Sequence, residues 1–132
     1  MQKKAPLETI EDYVNKLANM EHLILDIAYG KAVWSEIGEG SENFWDEICK
    51  IGEEHLKEYQ DKGLRTVNQI LKHVECTNWY KLNVDSENNF TLILSVSEAS
   101  KFVKTFFEGI FKNYSQKVEI IEEFKKIRIR VT

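Results

Sequence analysis

Three histidines (His22, His55 and His73) and two cysteines (Cys49 and Cys76) are the side chains whose types could support proton transfer, metal binding or thiolate attack. Their spacing favours none of these. The histidines are separated by 33 and 18 residues, which matches no compact ligand pattern. Gly52-Glu-Glu-His55 resembles a carboxylate–histidine signature, but a di-metal Glu-x-x-His motif needs a carboxylate where Gly52 stands, and no second histidine lies four residues from His55. Neither cysteine belongs to a Cys-x-x-Cys pair, and no Gly-x-Ser-x-Gly elbow or glycine-rich phosphate loop is present. Acid–base work by His55 would need a partner from another helix, such as Asp26 or Glu21. The sequence therefore assigns no catalytic residue, no metal and no cofactor. His55 is expected to be a packed helix residue and Cys49 a structural thiol, with Cys76 the more exposed cysteine at a helix–strand junction.

The stronger signal is aromatic. Fifteen of 132 residues are Phe, Tyr or Trp, enough either to fill a small core or to line an apolar cavity. Trp34, Trp45, Tyr80, Phe102 and Phe106 are the candidate lining residues.

The elements that must position them follow from periodicity. Thr9 is placed to cap a helix with Ile10, Val14, Leu17, Ile24 and Ala28 on one face, and the glycine-interrupted segment from Gly30 to Gly40 is the end of that helix plus a turn, with Trp34 and Ile37 still packed inward. Ser41 caps a second helix that buries Phe44, Trp45, Ile48, Cys49, Ile51, Gly52, His55, Leu56 and Tyr59 and stops at Gly63. A short third helix runs from Thr66 to about Val74. Asn78–Val84 and Phe90–Val96 alternate as the strands of a hairpin. Ser95 and Glu98 have capping-box spacing for a helix over 98–114, whose stripe contains Phe102, Val103, Phe106, Phe107, Ile110, Phe111 and Tyr114. Seven large apolar positions exceed what short strands can cover, so this helix is expected to offer a dimer interface. Mid-helix Gly109 implies close approach by a strand or a symmetry-related helix. Two alternating strands, Val118–Ile120 and Ile127–Val131, joined by Glu122–Lys126, end the chain. The fold class is α+β, with N-terminal helices followed by hairpin–helix–hairpin and helices packed on an antiparallel sheet, in a single domain over 1–132.

Composition narrows the function classes. With 42% hydrophobic and 30% charged residues and one proline, the chain reads as a soluble domain without a linker. Residues 1–62 carry 14 acidic against 7 basic side chains, whereas 63–132 carry 8 against 11. An acidic helical half argues against a nucleic-acid surface there. Leu23–Ala28 is too short to span a bilayer, the N-terminus has no signal-peptide apolar run, and two isolated cysteines fit a reducing cytoplasm.

Phe102-Val-Lys-Thr-Phe-Phe-Glu-Gly-Ile-Phe111, followed by Val118-Glu-Ile-Ile-Glu-Glu123 and Ile127-Arg-Ile-Arg-Val131, resembles the C-terminal end of 4-vinyl reductase domains. The preceding helices and hairpin are similar in layout to that family and to transport-protein-particle subunits. The resemblance implies helices on an antiparallel sheet, frequent dimerisation, and a sensor-like module binding hydrocarbon-like small molecules. Where such domains commonly carry cysteines, this chain has Ser97, Ser100 and Glu122–Lys126, so no metal or redox role carries over.

Together these features lead to the expectation of a non-enzymatic, cytoplasmic, homodimeric module that holds an apolar small molecule between helices and sheet. The alternative is a protein–protein interaction or scaffold role for the aromatic helix, and the weakest is a small hydrolase using His55 or Cys76.

Overall fold

The computed structural model describes residues 6–132, in which five helices and four strands follow one another as helices, hairpin, helix, hairpin. The α+β arrangement is as expected. The strands β1 (Tyr80–Ser86), β2 (Asn89–Leu94), β3 (Val118–Glu123) and β4 (Lys126–Val131) form one antiparallel sheet in the order β1-β2-β4-β3. β2 and β4 are central, and their inward residues pair Phe90 with Ile129 and Leu92 with Ile127, all buried. The alternate residues, Thr91 opposite Arg128, lie on the other face, as a two-residue period requires. Residues 122 and 123 extend β3, so the connection to β4 shrinks to Phe124 and Lys125, with Lys125 left-handed at φ 60°.

Helix α5 (Ser100–Phe111) lies on this sheet, burying Val103, Phe107, Ile110 and Phe111 against Leu92, Ile127 and Ile129. Its start differs from the capping-box expectation. The Ser95 amide bonds to the Trp79 carbonyl at 3.0 Å, which holds Ser95 beside the strand. A 3-10 turn at Ser97–Ala99 intervenes, and α5 begins without a side-chain cap.

The second face of α5 is covered by α3 (Glu42–Asp61), which Ser41 caps through the Phe44 amide and Gly63 follows with φ 85°. The crossing is glycine on glycine. A Cβ on Gly109 would overlap the Cys49 carbonyl oxygen, and a Cβ on Gly52 would overlap that of Phe106. The close neighbour inferred at Gly109 is thus a helix of the same chain, neither a strand nor a symmetry mate. The surplus of the aromatic stripe that pointed to a dimer face on α5 packs internally, and no large apolar residue of that stripe is exposed. Helix α4 (Val67–Glu75), with a full capping box between Thr66 and Gln69, closes one end of the core through Val67, Ile70, Leu71 and Val74.

The N-terminal third departs most from expectation. The single helix expected from Thr9 is two: α1 (Leu7–Ala18), preceded by Pro6, and α2 (Ile27–Ile37). Met20 turns left-handed at φ 58°, and the Asp26 carboxylate accepts from the Ala28 and Tyr29 amides to start α2. Ile24 therefore lies in the connection, while Gly30 to Ile37 complete α2 and the turn follows at Gly38, as a helix end plus a turn requires. α1 buries no residue, while Met20, Leu23 and Ile24 are 90%, 93% and 75% exposed.

Candidate functional site: an apolar cavity under the N-terminal helices

Between α3, α4, β1 and α5 the packing leaves a cavity of about 250 Å3. Val74, Trp79, Tyr80, Phe102, Phe106 and Phe107 form its apolar wall, and Lys16, His22, His55 and Thr77 also border it. Each element presents its residue for a local reason. The 3–4 spacing of α5 sends Phe102, Phe106 and Phe107 toward α3 and the sheet. Asn78 at φ 65° breaks the chain after α4, swinging Trp79 and Tyr80 back under it. The buried Tyr80 hydroxyl donates to the Leu71 carbonyl at 2.6 Å, so it contributes a ring rather than a free polar group.

Of the five candidates named from sequence, Tyr80, Phe102 and Phe106 border this cavity. Trp34 stands behind it, with its ring 4.6 Å from Phe102 and 6.4 Å from Trp79, centroid to centroid. Trp45 lies away from the cavity, where Phe44 packs edge-on at 4.9 Å, Lys101 sits 4.7 Å over its ring and its indole N–H donates to the Glu39 carbonyl. Trp79, whose ring packs on both Trp34 and Phe102, is a wall residue that the sequence reading does not single out. Its position opposite the β2 end of the hairpin could have singled it out. Lys16 and His22 carry no motif, because their role depends on where the α1–α2 connection folds.

The candidate acid–base and thiol groups are otherwise engaged. His55 Nδ1 bonds to the Ile51 carbonyl at 2.7 Å, and its ring packs on Phe106 at 5.2 Å and Tyr59 at 5.8 Å. The Cys76 thiol donates to the Lys72 carbonyl at 3.6 Å, and burial raises its pKa. Burial likewise raises that of half-buried Cys49, with Glu53 reinforcing the effect. Neither thiol meets a histidine among the described hydrogen bonds. Among the described residues no group of three or more His, Cys, Asp or Glu could hold a metal ion, and no helix is long and apolar enough to cross a membrane.

The rim of the cavity is polar. Lys16 and His22 border it and also two adjoining clefts, one between α1, the α1–α2 connection and Trp79, the other containing Asp12, Glu58, Lys62 and His73. Burial lowers the Lys16 pKa, opposed by Asp12. Burial also lowers that of His73, assisted by Lys16 and opposed by Asp12, whose carboxylate is 3.7 Å from His73 Nδ1. The unfolded imidazole titrates near 6.5 and the native one lower, so the unfolded chain binds more protons between the two values. The contribution of neutral His73 to stability is complete above about 6.5 and declines as pH falls toward the native pKa. Urea titrations should show this decline below pH 6.5, and His73→Phe should flatten it. An unchanged pH slope in the variant would assign the decline elsewhere.

An α+β fold with one apolar, polar-rimmed cavity between its helices and sheet is the class of protein these features define. The crystal structure of a vinyl-4-reductase family protein from Methanocaldococcus jannaschii is similar to this chain at a TM-score of 0.43 and 14% sequence identity, over 100% of this chain and 96% of that one. It is the family that the C-terminal stretch resembles. No family model matches the chain. No curated protein matches it either.

Proposed function

We propose that this chain is a non-enzymatic, sensor-like module that holds an apolar small molecule in the cavity between α3, α4, β1 and α5. The observation supporting this is the ~250 Å3 space walled by Trp79, Tyr80, Phe102, Phe106 and Phe107 beside a core otherwise filled by residues with almost no exposure. Apolar walls with a few polar groups are the usual make-up of a small-molecule site. Phe106→Ala tests the assignment. Titration with 1-octanol, followed by tryptophan fluorescence or calorimetry, is expected to weaken about tenfold, equivalent to about 1.4 kcal/mol. The melting temperature should fall by only a few degrees, because Phe106 is half-buried rather than central to the core. Comparable losses in both would make Phe106 a plain core residue.

A second reading, association with another protein chain including a homodimer, is favoured by a different observation. Leu7, Val14, Met20, Leu23, Ile24 and Ile27 are exposed on α1, its connection and the start of α2. Contiguous apolar surface of this kind marks interaction sites. Native mass spectrometry reads both proposals at once, as oligomeric state and as retained mass.

A further inference from the structure

We propose that the guest of this cavity is an amphiphile with an anionic head, a short- to medium-chain monocarboxylate, its tail among the aromatic rings and its carboxylate at Lys16 and His22. This rests on the apolar-site reading above and adds the chemistry of the ligand's polar end.

Three observations point the same way. First, Lys16, His22 and His55 border the cavity, and among the described residues no carboxylate does. The nearest acids stand in the adjoining cleft rather than at the cavity, where Glu58 pairs with Lys62 at 3.0 Å and Asp12 lies 3.7 Å from His73. Lys16 is half-buried and makes no ion pair within 4 Å among the described residues, which leaves its ammonium group to meet an anion at the cavity border. Second, the His22 Nδ1 atom is buried and has no hydrogen-bond partner among the described residues, and buried polar atoms normally have one. The His22 ring borders the cavity beside Lys16, so a turn of the ring that brings this atom to the cavity would let it donate to the same carboxylate as Lys16. Third, the dimensions agree: about 250 Å3, at about 30 Å3 per water-sized group, takes roughly eight such groups, the size of an octanoyl tail.

The test compares octanoate with 1-octanol, which share the tail and differ in head charge, on the full chain and on Lys16→Met and His22→Phe. A charged hydrogen-bonded head should make octanoate bind about tenfold tighter or more than the alcohol. Lys16→Met should remove most of that preference, read as the ratio of the two affinities in the same variant, and His22→Phe should reduce it. Equal binding of acid and alcohol by the native chain would overturn the head-group assignment and leave the apolar site standing. A preference for octanoate that survives Lys16→Met and His22→Phe would overturn it too. Binding of neither compound would overturn the assignment together with the apolar site.

Discussion

Gly109→Ala is expected to destabilise the protein by about 2–3 kcal/mol, although alanine is the better helix former by about 1 kcal/mol. The sign follows from what the added methyl would meet. At Gly109 it is the carbonyl of Cys49 on α3, a backbone atom that cannot rotate away as a side chain would. Relief requires the two helices to separate along their crossing, which loosens Ile48, Leu56, Phe107 and Ile110 together. Gly52→Ala meets the Phe106 carbonyl and should behave alike. The double variant should cost less than the two singles combined, since one separation accommodates both methyls. Urea denaturation gives all three values. A neutral or stabilising Gly109→Ala would mean that α3 and α5 do not meet at these glycines.

Phe107→Ala should cost about 3–5 kcal/mol, the range for a large ring removed from a core that cannot collapse around the loss. Phe107 has 0% exposure and stands between Tyr80 at 5.8 Å, Phe106 at 5.6 Å and Phe111 at 6.0 Å, centroid to centroid. It also forms part of the cavity wall, so its removal enlarges an existing space rather than opening an isolated one. For a chain of this length the melting temperature should fall by roughly 10 °C or more. Benzene, an apolar guest of about the deleted ring's size, should recover part of the loss by binding the native state alone. A loss below about 1 kcal/mol would show that neighbouring side chains close the gap.

How far sequence patterns determined the outcome varies along the chain. From Phe90 onward, local period and final environment coincide: alternation in β2 and β4 and the wide stripe of α5 each match the surface they bury. The capping box at Ser95 and Glu98 failed because a tertiary bond, Ser95 to Trp79, held the cap residue in extended backbone. The break between α1 and α2 was hidden by Leu23-Ile-Leu, whose apolar character mimics helical continuity while the side chains remain largely exposed. Asp26, a strong capping type three residues before Tyr29, was the available signal. The pairing of Gly52 with Gly109 could not be read from either helix alone, because each glycine is explained only by the other helix's backbone. The same holds for the cavity: three of its rings were identifiable by type, whereas Lys16 and His22 entered through the fold of the connection.

That connection also bears on how the proposed guest would enter and leave. α1 contributes no buried residue, yet with the segment after it supplies Lys16 and His22 to the cavity's border. The wall on that side is therefore the part of the molecule with least apolar burial, and its opening free energy lies well below that of the α3–α5–sheet unit. Entry and departure can then proceed by local opening of residues 7–26, leaving the Gly52–Gly109 contact intact. In amide hydrogen exchange this division should give two tiers of protection, a shallow one over α1 and its connection and a deep one over α5, β2 and β4. Guest occupancy would raise the first tier while leaving their order unchanged.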